Sequence, residues 1–521
     1  MNILVLFKTV PVWERVLERD WEAFSPYGDL SYAGKEINCF DEAALELGLR
    51  LRDEYAEQGK EARCFAATAG TPHPSFAQTL FAAGYEDVAV LGAGEFEFAS
   101  EEVARLLADY AAGGDCGLIL AGAAAGMADT GTVPLRVAQK LGRTFITNAL
   151  ELRARGDAVE LLCQEPDGLY RRVVRAPLLA SVSNSPAVLR AATLRARLAV
   201  RDRQARTVWG DKTFDGGTEN IIFSRSAGKR VCGLLEFTSV PGLAKTLLEH
   251  ELSGKASARA AQSRAFCPPN AVVYDTQNIL WYAAEPAFGP LRANWHAGKP
   301  DYALFADTYT GRALAYRLAR ETGAFFLTGA LFAEDGESLF RRACASNVLA
   351  RYRPRLPAVL TMEKLPVEAE RVSLETADEK PPFWLLEEEK TACANDGLRN
   401  KKAVVVCGAG MGSRANCERA RELARKLGAG FGLTRAAALN GWGGPGEIVG
   451  QSGASISPEI CLVLGASGAG AFAAGIENAA RVVAVNSDEK ALIFRHADAG
   501  AVADAPALTE ALLAAASCAA R

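Results

Sequence analysis

At 521 residues the chain has room for about three domains of ordinary size. Hydrophobic residues make up 49% and charged residues 23%, the balance of a globular protein and not of a disordered one. A formal net charge of −4 over this length gives no support to nucleic-acid or membrane-surface binding.

No apolar run approaches the ~18–20 residues of a membrane-spanning helix, so the chain is not expected to be membrane-embedded. The opening MNILVLFKTVPVW lacks a basic stretch and a small-residue cleavage site and reads as a first strand, not a signal peptide. The 12 cysteines are scattered with no C-x-x-C pair, which speaks against zinc ribbons and bacterial-type iron–sulfur clusters and fits a cytoplasmic setting. His73, His250, His296 and His496 do not cluster, so no metal site is expected.

Residues 1–209 alternate apolar runs with helical patterns. ILVLF (3–7), EARCFAATAG (61–70), EDVAVLGAG (86–94) and GLILAG (117–122) read as strands. FDEAALELGLRLRDEYAEQG (40–59) has helical apolar spacing and ends at Gly59. Such alternation predicts a parallel sheet covered on both faces. Residues 210–270 begin polar, pass through a helix-like FTSVPGLAKTLLEHEL (237–252) and end as a small, basic, Pro-terminated arm and linker.

A weaker copy of the first unit follows over 271–375. DTGTVPLRVAQKLGRTFITNALEL (129–152) is matched by DTYTGRALAYRLARETGAFFLTGALFAED (307–335), and RAPLLASVS (175–183) by RPRLPAVLTM (353–362). A recurrence about 180 residues apart is too long for a solenoid and predicts two homologous α/β domains. A Glu- and Lys-rich stretch, 376–400, reads as a second linker, and 401–521 as a third domain.

That third domain opens with AVVVCGAGMGSRANCERARELARKLG (403–428), a strand, a Gly turn and a helix. The turn would offer amides at a helix start to phosphate, with Gly410, Gly412 and Ser413 closest; plain tight-turn packing is the alternative. TRAAALNGW (434–442), IVGQSG (448–453), LGASGAGAF (464–472), AVNSD (484–488) and ADAGAVAD (497–504) follow. Isolated Arg, Gln, Asn and Asp side chains stand there among small residues, the composition of a close-fitting ligand site.

These segments resemble the FAD-binding domain of the electron transfer flavoprotein alpha subunit, whose corresponding signals read SRAA…GW, QVGQTG, SGAIQH, NKD and VAD. The resemblance implies a Rossmann-like domain holding FAD through Gly410, Gly412, Ser413, Thr434, Arg435, Gly450, Gln451, Ser452, Gly453, Ser467, Gly468, Ala469, Phe472, Asn486 and Asp504. Arg435 would stack on the flavin, Ser452 would face its N5, and Asn486 and Asp504 would hold the adenosine end as buried partners. Trp442 reads as core. Two departures stand out. Ala409 occupies the place of the arginine in the family's GGRG, and Phe472 that of a histidine that serves the flavin pyrimidine end.

FKTVPV (7–12), INCFDEAALE (37–46) and MADTGTVP (127–134) resemble VKQVPD, INPFDEYALE and DGDTGQVGP of the beta subunit. That resemblance implies a second nucleotide site at Thr9, Val10, Asn38, Asp129, Thr130, Gly131 and Thr132, holding AMP or a second FAD. Leu194 falls in the counterpart of the loop that docks on partner dehydrogenases, and AGKRVCGLLEF (227–237) resembles the beta-subunit tail that embraces the FAD domain. The middle unit resembles the alpha subunit's N-terminal domain.

The expected protein is a beta–alpha fusion with no catalytic side chain of its own. It would pass electrons on FAD from a flavin dehydrogenase to a membrane quinone oxidoreductase or a ferredoxin-type acceptor. A bifurcating enzyme with a second FAD and NADH, or a nucleotide-binding protein without redox function, are the alternatives. An NAD-dependent dehydrogenase is disfavoured because no G-x-G-x-x-G opens the N-terminal domain.

Overall fold

The computed structural model describes all residues except 18, 22–23, 25–29, 31, 71, 95–98, 126–130, 166–167, 184, 214–220, 226–229, 253–265, 277–278, 280–283, 334, 345–347, 363, 375–380, 392–397, 399–400, 451–452 and 520–521. The architecture is α/β with three parallel-sheet units, as the alternation predicts.

The first unit is built on strands Asn2–Leu6, Arg63–Ala69, Asp87–Ala93 and Leu118–Gly122, each close to its expected span. The expected helix runs Cys39–Glu57 and buries Ala43, Ala44, Leu45, Leu47, Leu49 and Leu51. In the sheet Asn2–Leu6 lies between Arg63–Ala69 and Leu118–Gly122, so the strand order reverses beside it. Beyond Leu118–Gly122 come Leu178–Val182 and Thr144–Arg155, followed by antiparallel Ala158–Glu165 and Gly168–Arg175. The sheet is therefore mixed: short hairpin turns there allow the antiparallel pairing that helix crossovers exclude elsewhere.

The second unit repeats this order. Ala271–Asp275, Tyr302–Ala306, Ala358–Met362 and Phe325–Leu327 are neighbours in the same sequence as Asn2–Leu6, Leu118–Gly122, Leu178–Val182 and Thr144–Arg155. The repeat in the sequence is thus a repeat in topology. The two D-T-x-T helices, Val133–Leu141 and Tyr309–Thr322, pack on each other, burying Leu135, Val137 and Ala138 with Ala313 and Tyr316.

The third sheet is all parallel, with Ala403–Cys407 between Gly430–Leu433 and Ile460–Leu464, then Arg481–Asn486 and Ala499–Val502. In chain numbering this is the doubly wound order 2-1-3-4-5, whose direction changes between the first and third strands.

Two expectations change here. The stretch 376–400 is not all linker: Leu385–Thr391 pairs antiparallel with Gly168–Arg175 and closes the edge of the first sheet. Glu388 meets the buried Arg172 at 2.7 Å, a pairing that sequence distance hides. The helix expected over 237–252 is an α-helix over Val240–Thr246, capped by Ser239, that widens to a π-turn over Leu247–Glu251. Gly233–Leu234 adds parallel to Ala499–Val502, and Leu243, Ala244 and Leu247 pack into the third domain's core. Arg230 pairs with Asp498, and Arg481 with Glu251. The arm from the first unit therefore lies along the third.

Candidate functional site

Every FAD residue named from the sequence and described in the structure either ends a strand of the third sheet or falls in a loop or helix that follows one. Gly410, Gly412 and Ser413 follow Ala403–Cys407, and Thr434 and Arg435 follow Gly430–Leu433. Ser467, Gly468 and Ala469 follow Ile460–Leu464, Asn486 ends its strand, and Asp504 follows Ala499–Val502. A doubly wound sheet binds its ligand at this edge, at the reversal of strand order.

At the reversal the two flanking loops touch backbone to backbone. Gly410 N donates to Gly465 O at 2.8 Å, and Gly408 N to Leu464 O at 2.8 Å. A Cβ on Gly408 would lie 2.4 Å from Ala466 Cα. Gly410 thus serves close packing, and its amide is not the phosphate donor expected of it. The donors left are those at the start of helix Arg414–Lys426, whose first amides have no intrahelical acceptor. Ser413 caps that helix, accepting from Asn416 N at 3.2 Å, and Gly412 reaches it through φ +73.

Thr434 is buried and caps the helix Arg435–Leu439. Arg435 is half-buried; its Nη2 donates to Cys39 O at 3.2 Å across to the first unit. Its guanidinium carbon stands 5.8 Å from the centroid of the Phe40 ring. Among the described residues its Nε is buried with no hydrogen-bond partner. A buried cationic N–H without an acceptor is costly, and an electron-rich ring system or anionic group placed there would supply one.

Gly450 has φ +138 and abuts Ala471 O and Phe472 Cα, where any Cβ would intrude. Gly453 N closes the turn on Gly450 O at 2.8 Å. Gln451 and Ser452 lie outside the described residues. Ser467 is exposed, Gly468 takes φ +86 against Ile493, and Ala469 caps a short helix, Gly470–Ile476. Trp442 packs against the core as expected.

Two residues sit differently from the expectation. Phe472 is 7% exposed and packs with Val449, Val463 and Ala484 in the apolar layer under the sheet, so its side chain is core. An aromatic ring placed where a polar donor stood gains more from that layer than from the site edge. Asp504 is exposed, not buried, and its Oδ1 accepts from Ala507 N at 2.8 Å at the head of helix Ala505–Ala519. Asn486 likewise bridges locally, from Nδ2 to Ala466 O at 2.8 Å and from Asp488 N to Oδ1 at 2.9 Å. Asp504→Ala should cost about 1 kcal/mol of stability as a lost cap. Asp504→Ser keeps the cap, so a faster FAD off-rate in Ser as well as Ala isolates the ligand role; equal off-rates in wild type and Ser would leave Asp504 a cap alone.

The residues present fit FAD. The site-bearing loops flank the reversal of strand order, the start of Arg414–Lys426 offers amides, and Arg435 has a buried donor to give.

A cleft opens at the equivalent reversal in the first unit, lined by Phe7, Lys8 and Thr9, by Thr68–Gly70, and by Ala121–Ala125. Ser100 and Val133–Pro134 bring two helix starts to it, and Lys35 and Gly131 complete the wall. Thr9 and Gly131 thus line it. Val10, Asn38 and Thr132 are buried behind it, and Asp129 and Thr130 lie outside the described residues. Asn38 Nδ2 ties Asp41 Oδ2 (3.0 Å) to Ala124 O (2.7 Å), and Thr132 Oγ1 accepts from Arg136 Nε at 3.1 Å.

Asp41 is the residue sequence reasoning passed over, although it stands in the quoted INCFDEAALE. It takes amide hydrogens from Lys8 (2.9 Å) and Gly122 (2.7 Å), fastening the ends of the two strands that flank the reversal. Burial pushes its carboxyl up to about 6, against the pull of Asn38, Lys8 and Gly122. A raised carboxylate binds its proton more tightly folded than unfolded, so its contribution to stability falls as pH rises from about 4 to about 6. The stability difference between wild type and Asp41→Asn should change by roughly 1–3 kcal/mol across that window and be flat above it. Chemical denaturation at pH 4.5 and pH 7 checks this; a pH-independent difference would refute it.

Leu194 is 72% exposed on the short helix Leu194–Ala199, with Leu198 beside it. Arg190 anchors the preceding segment to Glu46 (3.1 Å) and Asp53 (2.6 Å) of the long helix.

This is a doubly wound α/β domain whose site-bearing loops flank the reversal of strand order, joined to an α/β unit with a cleft at its own reversal. Residues 397–477 match the electron transfer flavoprotein FAD-binding domain, and residues 30–207 the electron transfer flavoprotein domain. The electron transfer flavoprotein alpha subunit of Mycobacterium tuberculosis is 33% identical over 312 residues, covering 56% of this chain and 92% of that protein. YgcQ of Escherichia coli, named as an electron transfer flavoprotein subunit, is 29% identical over 281 residues, 52% of this chain and 96% of that one. Subunit LctC of the lactate dehydrogenase (NAD(+),ferredoxin) of Acetobacterium woodii is 29% identical over 251 residues, 44% of this chain and 59% of that protein. The chain belongs to the electron transfer flavoprotein family.

Proposed function

We propose that this chain joins a beta-type unit to an alpha-type unit: 1–209 with its arm 210–270, then 271–375, the connection 376–400 and the FAD domain 401–521. The observation that carries the reading is the arm: residues 230–252 leave the first unit and lie on the third sheet, where the resemblance puts a beta-subunit tail. A nearly complete alpha subunit accounts for 56% of the chain, which leaves room for another unit.

FAD, when bound, supplies the electron chemistry. The chain's residues position and tune it. The start of Arg414–Lys426 receives the pyrophosphate, Arg435 favours negative charge on the ring, and Asn486 and Asp504 hold the adenosine end. Electrons enter from a flavin dehydrogenase docking at the exposed Leu194 helix and leave to a quinone oxidoreductase or ferredoxin-type acceptor. The chain works in the cytoplasm; among the described residues no helix is long and apolar enough to cross a membrane. Fusion holds the mobile parts at high effective concentration. The N-terminal cleft takes AMP in this reading.

The same cleft, together with the likeness to LctC, favours one second reading: a bifurcating protein with FAD in both sites. The absorption spectrum and the nucleotide count per chain separate them. One FAD with AMP supports the carrier, two FAD with NADH oxidation the bifurcating protein, and a colourless protein that takes up no FAD overturns both.

A further inference from the structure

The segment that leads into the turn at 450–453 is fastened to the helix Arg414–Lys426 by a charge pair. Glu447 ends the short 3-10 turn Pro445–Glu447 and is buried. Its carboxylate accepts from Arg421 through both Nη1 and Nη2, the latter at 3.1 Å, and from Gly444 N at 3.1 Å. Arg421 comes from the middle of the helix, and its guanidinium carbon stands 4.1 Å from the centroid of the Phe431 ring. Glu418, one turn back, also reaches it at 3.3 Å. The chain leaves space for the Glu447 carboxylate: a Cβ on Gly443 would lie 2.3 Å from Glu447 Oε2 and 2.3 Å from Leu433 Cδ1.

The pair joins two segments that are far apart in their roles. The helix that carries Arg421 starts beyond its cap Ser413, and Ile448 and Val449 follow Glu447 directly into the turn. Val449 N donates to Leu433 O at 2.9 Å, Ala454 N to Ile448 O at 2.8 Å and Gly450 N to Ala454 O at 3.1 Å. The turn is thus closed on its own ends and held to the strand Gly430–Leu433, while Glu447 holds its entry to the helix. A buried ion pair adds little net stability, because desolvation of the two charges offsets their attraction. What it adds over an apolar contact is geometry: a two-pronged fork between guanidinium and carboxylate sets distance and angle together.

We propose that Arg421 and Glu447 are positioning residues for FAD: their fork sets the spacing between the helix start that receives the pyrophosphate and the turn that faces the flavin ring. This rests on the reading of those two segments as FAD contacts. Both side chains act through the backbone they hold, so a change in the pair is felt at the flavin without any loss of a flavin ligand.

The test uses the full-length protein. FAD release is timed after dilution by the rise of flavin fluorescence, the visible absorbance of the bound flavin is recorded, and the nucleotide-free form is melted. Glu447→Gln keeps the volume and an acceptor for Gly444 N but removes the charge. It should release FAD roughly tenfold faster than wild type and shift the flavin absorbance band. Arg421→Lys keeps the charge without the fork and should fall between the two. Arg421→Met combined with Glu447→Leu puts an apolar contact in place of the pair; it should melt near wild type yet release FAD as fast as Glu447→Gln. Leu512→Ala, in the same core but on the helix Ala505–Ala519, shows what instability alone does: it should melt lower and keep the wild-type absorbance. Release in Glu447→Gln no faster than in Leu512→Ala, or a wild-type flavin spectrum in Glu447→Gln, makes the pair structural and overturns the proposal. Ser452→Ala, on the turn itself, tests the underlying reading separately. If it leaves release and spectrum unchanged, the turn does not face the flavin and the role of the pair falls with that reading. If it changes them while Glu447→Gln does not, the role of the pair alone falls.

Discussion

Gly408→Ala is expected to yield a protein that no longer retains FAD and has lost about 3 kcal/mol or more of stability in its third domain. Gly408 has extended backbone, φ −101 and ψ 179, so conformation is not the reason. Space is. The new methyl would lie 2.4 Å from both Ala466 Cα and Gly465 O and 2.6 Å from Ala466 N, all backbone with no rotamer to yield. The loops after Ala403–Cys407 and Ile460–Leu464 would have to part. That breaks the Gly408 N–Leu464 O and Gly410 N–Gly465 O bonds at the point where the sheet reverses its order. Gly412→Ala is the control: it has open space and only the strain of φ +73, worth about 1–2 kcal/mol, and should keep its flavin. Flavin absorbance per chain and thermal melting read both. A yellow Gly408→Ala protein of ordinary stability would show that the two loops are not packed as described.

The sequence made the parts legible whose signals are local. Strand runs such as GLILAG and the helical spacing of 40–59 became Leu118–Gly122 and Cys39–Glu57, because burial of contiguous apolar residues decides them. The D-T-x-T recurrence announced two like domains, and the shared strand order bears that out. Contacts between distant segments were not legible. Nothing local in LEEEK tells that it will lie beside RRVVR, since exposed glutamates also suit a linker. The role of Gly410 depended on which loop lies opposite it, and Phe472 on which face of its helix meets the core. Asp41 looked like one more acidic residue at a helix start until Lys8, Asn38 and Gly122 closed on it from separate strands and loops.

Arg435→Ala should lower the flavin reduction potential by a few tens of mV while leaving most of the bound FAD in place. The side chain is half-buried, among the described residues its Nε meets no acceptor, and Cys39 O takes one of its N–H groups. A cation beside a group that gains electrons stabilises the reduced form. At an effective dielectric near 20, a unit charge ~4 Å away is worth about 4 kcal/mol before screening. A two-electron couple moves about 30 mV for each 1.4 kcal/mol, so that ceiling is roughly 90 mV and solvent lowers it. Arg435→Lys separates charge from shape. It restores most of the potential if charge is what matters, but loses the planar contact and the reach to Cys39 O. Burial raises the Cys39 thiol and the Glu42 carboxyl, and Arg435 pulls both down. Removing the cation should therefore raise both further, which thiol alkylation rates at Cys39 can follow independently of the flavin. A potential that holds steady or rises in Arg435→Ala would place the guanidinium in the contact between the first and third units and away from the flavin.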